Sequence, residues 1–244
     1  MTQPEGMFPT TRWTLISRLK DPDADIARRA LDELCSQYRY PLYCYIRRRG
    51  FSHHDAEDAL HDFLAKLLRL DTFAGAEKGR GRLRSLLATA LQRFLANWVR
   101  DHPYRGREVS VDPLPARNED DEGRYQREHF TEHDTPESIF ERKWSHALIA
   151  RALVHLRAGY NAAGKSALFT TLQPILTAGG SLRGEDAPAL AATLGTSEGA
   201  LRVALSRLLR DYRSAVEHEI FMTVGSREEI ADELTCLLGV FRKQ

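Results

Sequence analysis

The chain has 244 residues, 42% of them hydrophobic, and its 35 lysines and arginines face 34 aspartates and glutamates. That is enough apolar material for one or two cored domains, and the charge balance excludes a uniformly basic coat. No run approaches the ~20 apolar residues that span a bilayer, no hydrophobic leader opens the chain, and Cys35, Cys44 and Cys236 are too scattered for a disulfide framework or zinc site; the expectation is a cytoplasmic protein without metal or cofactor.

In chain order the pattern is helical throughout. Ile26 to Ile46 carries a stripe of Ala30, Leu31, Leu34, Tyr38, Leu42 and Tyr45, with Pro41 expected to kink or break it. A second helix spans Asp55 to Leu70, with Ser52 as its N-cap and Ala59, Leu60, Phe63, Leu64, Leu67 and Leu68 as its stripe. The glycine-bearing stretch 71–81 reads as a loop. A third helix then repeats apolar residues at three and four: Leu83, Leu86, Leu87, Ala90, Leu91, Phe94, Leu95, Trp98 and Val99. Residues 103–137 are acidic, contain proline and lack apolar periodicity, so a linker is expected there. Helicity resumes near Pro136 through Leu156, and again over Leu168–Leu176. The predicted class is all-α: two helical domains, 1–102 and 138–216, joined by the acidic linker 103–137 and followed by a helical extension over 217–244.

The near-neutral total hides segregation. Residues 78–107 hold eight bases against Asp101 alone, whereas residues 108–141 hold eleven acids against three arginines. Basic patches along a chain are a footprint of polyanion binding, although most charge runs are solvated helix faces.

The most specific constellation is D-A-P-A-L-A-A-T-L-G-T-S-E-G-A-L-R-V-A-L-S-R-L-L-R-D-Y, Asp186 to Tyr212. Leu190, Ala191 and Leu194 line a short helix, Gly195 supplies a left-handed turn, and Ser197 caps a second helix buried through Leu201, Leu205 and Leu208. This spacing predicts a helix-turn-helix whose outer face carries Glu198, Arg202, Val203, Ser206, Arg207 and Arg210.

On the second helix, D-A-E-D-A-L-H-D-F sets Asp58 and Asp62 four apart beside His61, an arrangement that mildly destabilises a lone helix. With the basic helix that follows, the long linker and the helix-turn-helix, the chain resembles bacterial RNA polymerase sigma factors of the extracytoplasmic-function group. Asp55-Ala56-Glu57-Asp58 matches the motif of their region 2, and Leu194, Gly195, Ser197, Glu198, Gly199, Arg202, Leu205, Ser206 and Arg207 match region 4. The segments F-P-T-T-R-W, E-K-G-R-G-R-L-R-S-L-L and F-E-R-K-W to A-A-G-K resemble a longer subgroup with an extra C-terminal helix, here Arg227–Phe241.

The resemblance implies a non-enzymatic subunit that binds core RNA polymerase, through its β′ and β subunits, and promoter DNA, with an anti-sigma factor as a further kind of partner. Asp55, Asp58, His61, Asp62 and Arg69 would face the β′ coiled coil. Arg80, Arg82, Arg84, Arg93, Asn97 and Arg100 would follow the −10 strand. Glu198, Arg202, Ser206, Arg207 and Arg210 would meet the −35 element, and the acidic linker would enter the RNA channel. The chain departs from the family pattern at His61, at Leu86–Thr89 where aromatics are usual, and at Val203 and Ala204, where Ser and Arg are common. A stand-alone helix-turn-helix regulator without polymerase binding is the alternative.

Other motifs read as structure. Trp13, Trp98 and Trp144 sit on apolar stripes and are expected in cores. His129 and His133 have no third ligand partner, and His53-His54 fits a helix start. G-Y-N-A-A-G-K-S, residues 159–166, matches a phosphate-loop string but has no strand before it. The acidic C-terminal segment either packs on its own domain or folds back to limit access to DNA or polymerase.

Overall fold

In the computed structural model, Arg18 and residues 21–69, 82–102, 121–224 and 229–242 are described; among them every regular element is α-helical, and nine helices are present. No described helix is long and apolar enough to cross a membrane. The chain divides into two compact units, Met1–Ala147 with Phe221–Gln244, and Leu148–Ile220.

In the first unit, α1 (Ala24–Arg48) starts at Asp23, whose carboxylate accepts from the amides of Asp25 at 2.9 Å and Ile26 at 3.4 Å. Those amides have no partner within the helix itself. The break expected at Pro41 does not occur: the helix runs through it. An interior proline costs about 3 kcal/mol, but Leu34, Tyr38, Leu42, Tyr43, Cys44, Tyr45 and Ile46 are all buried around it. At ~1.5–3 kcal/mol for each large apolar side chain, that burial outweighs the penalty.

One flank of α1 packs on α2 (His53–Arg69), which packs in turn on α3 (Leu83–Asp101). Ser52 caps α2 as the sequence indicates, its Oγ accepting from the Asp55 amide at 3.1 Å and donating to Asp55 Oδ2 at 3.0 Å. On α3 the buried stripe is Leu83, Leu87, Leu91, Leu95 and Trp98, while Val99 is exposed.

The other flank of α1 is covered by a segment expected to be linker. Residues 103–120 lie outside the described set, but Asp121–Gln126 forms a short helix, α4, docked on α1. Glu122 accepts from the Tyr43 hydroxyl at 2.5 Å and from Arg47 Nη2 at 3.1 Å. Asp121 pairs with Arg39 at 2.8 Å, and Glu128 accepts from Tyr40 at 2.9 Å and pairs with Lys143. Tyr125 and Phe130 pack against Tyr40, Cys44 and Ile139. The linker expectation is therefore corrected from Asp121 onward: these acids are neutralised by α1 and by the start of α5 (Pro136–Ala162) rather than left as free negative charge.

Two groups in this packing tie stability to pH in one direction, while Asp121, raised above 3.8 by burial, acts oppositely in stronger acid. Burial pushes the His146 pKa down from 6.5, and the charges of Lys143 and Arg142 push the same way. At Glu122 burial acts upward, but the Tyr43 hydrogen bond and Arg47 outweigh it and hold the carboxyl below 4.5. In both cases the unfolded chain binds more protons, so stability is lost as pH falls below each ordinary value. The melting temperature should fall as pH drops below about 6.5, and His146→Gln should flatten that limb while keeping the decline below about 4.5. Identical curves for the variant and the parent chain would refute the assignment to His146.

The second unit is built from the end of α5, α6 (Ser166–Thr177), α7 (Ala187–Thr193) and α8 (Glu198–Phe221) around Leu156, Phe169, Leu172, Ile175, Leu176, Ala191, Leu201, Leu205 and Leu208. The expected second domain began ten residues earlier, at 138; the first turns of α5, including the buried Trp144, belong to the first unit. Within the second unit, buried Glu219 holds Arg151 Nε at 3.0 Å and His155 Nδ1 at 2.9 Å, joining α5 to the end of α8. The last helix, α9 (Glu229–Arg242), returns to the first unit.

Candidate nucleic-acid interface

In the second unit the sequence dictates a tight turn between α7 and α8. Asp186 caps α7 by accepting from the Ala189 amide at 3.0 Å, with Pro188 in the first turn. The helix ends in a Schellman arrangement: Thr196 N–H donates to Ala191 O at 2.9 Å and Gly195 N–H to Ala192 O at 3.0 Å. This closure needs a left-handed residue, and Gly195 supplies it at φ +61°. Ser197 then caps α8, its Oγ accepting from the Ala200 amide at 3.2 Å.

Leu201, Leu205 and Leu208 are buried, which turns Glu198, Arg202, Val203, Ser206, Arg207 and Arg210 outward, all exposed. Their ionic contacts are weak: Arg202 stands 3.9 Å from Glu198 and Arg210 3.6 Å from Asp211. Such exposed pairs contribute about 0–1 kcal/mol and yield readily to a polyanion. All five residues expected at the −35 element thus share one solvent-facing side of α8.

In the first unit the two other predicted sets are placed less uniformly. On α2, Asp58, His61 and Asp62 are exposed, Asp55 is half-buried against Ser52, and Asp62 Oδ2 accepts from Trp98 Nε1 at 3.0 Å. Arg69 ends α2, its side chain outside the described set, as is Arg80. On α3, Arg93, Asn97 and Arg100 are exposed; Asn97 Nδ2 donates to the Arg93 carbonyl at 3.1 Å. Arg93 and Asn97 border a cavity of about 150 Å³ between α2 and α3, which also takes in Phe63, Lys66 and Phe94.

Arg84 departs from the expected exposed position. Arg84 is 4% exposed, its Nε 2.5 Å from Glu233 Oε1 and its Nη2 3.0 Å from Glu233 Oε2. Nη1 reaches Glu141 at 2.7 Å, and the guanidinium lies 5.2 Å over the Trp144 ring. Burial alone would lower the Arg84 pKa; the hydrogen bonds and charge of Glu233 outweigh it and hold the group above its ordinary value. Arg82 Nε sits 3.0 Å from the same Glu233, and the Leu83 amide donates to Thr223 O at 3.2 Å. Arg84 is thereby buried against α9 and does not face solvent, whereas Arg82, bonded to the same carboxylate, keeps part of its side chain at the surface. Glu233 is 0% exposed, and an acid in an acidic tail carries no local sequence mark of burial.

The phosphate-loop string folds as a helix end. Gly159 lies within α5, Gly164 closes it at φ +68°, and Lys165 N–H donates to Tyr160 O at 2.8 Å. A cradle needs those amides pointing at a ligand, and here they are committed to the cap. His129 and His133 are exposed, and no group of three metal-ligating side chains occurs among the described residues. Comparison with protein-family models, with curated proteins and with solved structures returns no match.

Proposed function

We propose that the chain is a promoter-specificity subunit of bacterial RNA polymerase, a sigma factor of the extracytoplasmic-function type. The observation that carries this reading is the capped turn from Leu194 to Ser197, followed by a helix that exposes Arg202, Arg207 and Arg210 together. A helix presented this way puts its first turns at base edges and later arginines at phosphates. The exposed Asp58, His61 and Asp62 supply the surface for core polymerase, and Arg93, Asn97 and Arg100 the surface for the −10 strand. Arg84 is left out of that surface because Glu233 of α9 holds it in the interior.

Transcription in vitro with core polymerase over a randomised promoter library tests the reading: enrichment of a defined promoter is expected. Asp58→Arg should weaken core binding about ten-fold or more by reversing an interface charge, with duplex retention by the same chain unchanged. Duplex binding without any association with core polymerase would favour a stand-alone regulator instead.

A further inference from the structure

Val203 is an anomaly on α8. It is 50% exposed, one of few large apolar side chains among the described residues to be so. A β-branched residue gains nothing in an exposed helix position, where Ala, Lys or Glu fit better. Its neighbours three and four residues away are Gly199, Ala200, Ser206 and Arg207, with Arg202 beside it. Gly199 brings no side chain, and a Cβ there would meet nothing closer than Ser197 Oγ at 4.0 Å. The first turns of α8 thus present a low apolar step flanked by guanidinium groups.

Charge complementarity selects a polyanionic surface for this face, and the apolar step selects what within it. In the major groove of duplex DNA, base edges offer donors, acceptors and one apolar group, the C5-methyl of thymine. We propose that Val203 is a specificity-determining residue that packs on a thymine methyl in the major groove. The inference rests on α8 being the groove-entering helix and adds what it reads.

The test uses the full chain, with and without core RNA polymerase, to enrich sequences from a randomised duplex library. Each thymine of the recovered duplex is then replaced singly by deoxyuridine, which removes the methyl and nothing else. One position should lose about four-fold in affinity, the equivalent of ~0.8 kcal/mol for one buried methyl-sized group. Val203→Ser should abolish that loss at that position alone, Val203→Ile should retain it, and the salt dependence fixed by the arginines should stay the same in both. Selective duplex binding with no methyl-dependent thymine, or with the same dependence in Val203→Ser, overturns the inference and leaves the helix-turn-helix reading standing. Failure to enrich any duplex in either form overturns both.

Discussion

Glu233→Ala should destabilise the chain by about 3–5 kcal/mol, because it leaves a buried guanidinium without its main counter-charge. Arg84 cannot move to water without disturbing the Trp144 ring beneath it, and Glu141 alone can satisfy only one of its nitrogens. Denaturant unfolding of the full chain measures the effect. The double variant Arg84→Leu with Glu233→Leu should recover most of the loss, since an apolar pair of similar size carries no desolvation penalty. A loss below about 1 kcal/mol in the single variant would show the pair to be solvent-relaxed, as surface ion pairs are.

On the proposed function, the double variant Arg202→Ala with Arg207→Ala is expected to weaken promoter binding by at least about 30-fold, at ~1–3 kcal/mol for each arginine that meets a base edge or phosphate. Its logarithmic salt slope should become shallower by about one for each phosphate contact removed. Because both side chains are exposed, folding should be untouched, so circular dichroism and melting serve as controls. Promoter binding and salt slope equal to the parent chain would remove α8 from the interface.

What could be read from the sequence was whatever local chemistry decides. The apolar period fixes α2 and α3, Ser52 and Ser197 announce helix starts, and Gly195 announces the turn that orients the arginine face of α8. These signals are complete within a few residues. Pro41 was misleading because a backbone rule was outweighed by burial on two flanks of α1, one of them contributed by residues some eighty positions later. Helix α4 was hidden for the same reason: its six residues have no period of their own and are held by Tyr43, Arg39 and Arg47. Arg84 looked like one of a run of exposed bases until Glu233 was brought to it.

The pairing of Arg84 with Glu233 joins positions 149 residues apart in the chain, and this bears on the order in which the protein can form. The Leu148–Ile220 unit is contiguous, so its contacts close over shorter stretches of chain. The first unit is interrupted in sequence, so bringing α9 to it closes a long loop whose entropy is lost before the buried contact is gained. Until that loop closes, Arg84 has Glu141 as its acidic partner and lacks the bidentate contact with Glu233. In a partly folded chain α3 is therefore more cationic than in the native structure, where Glu233 offsets Arg84 and Arg82.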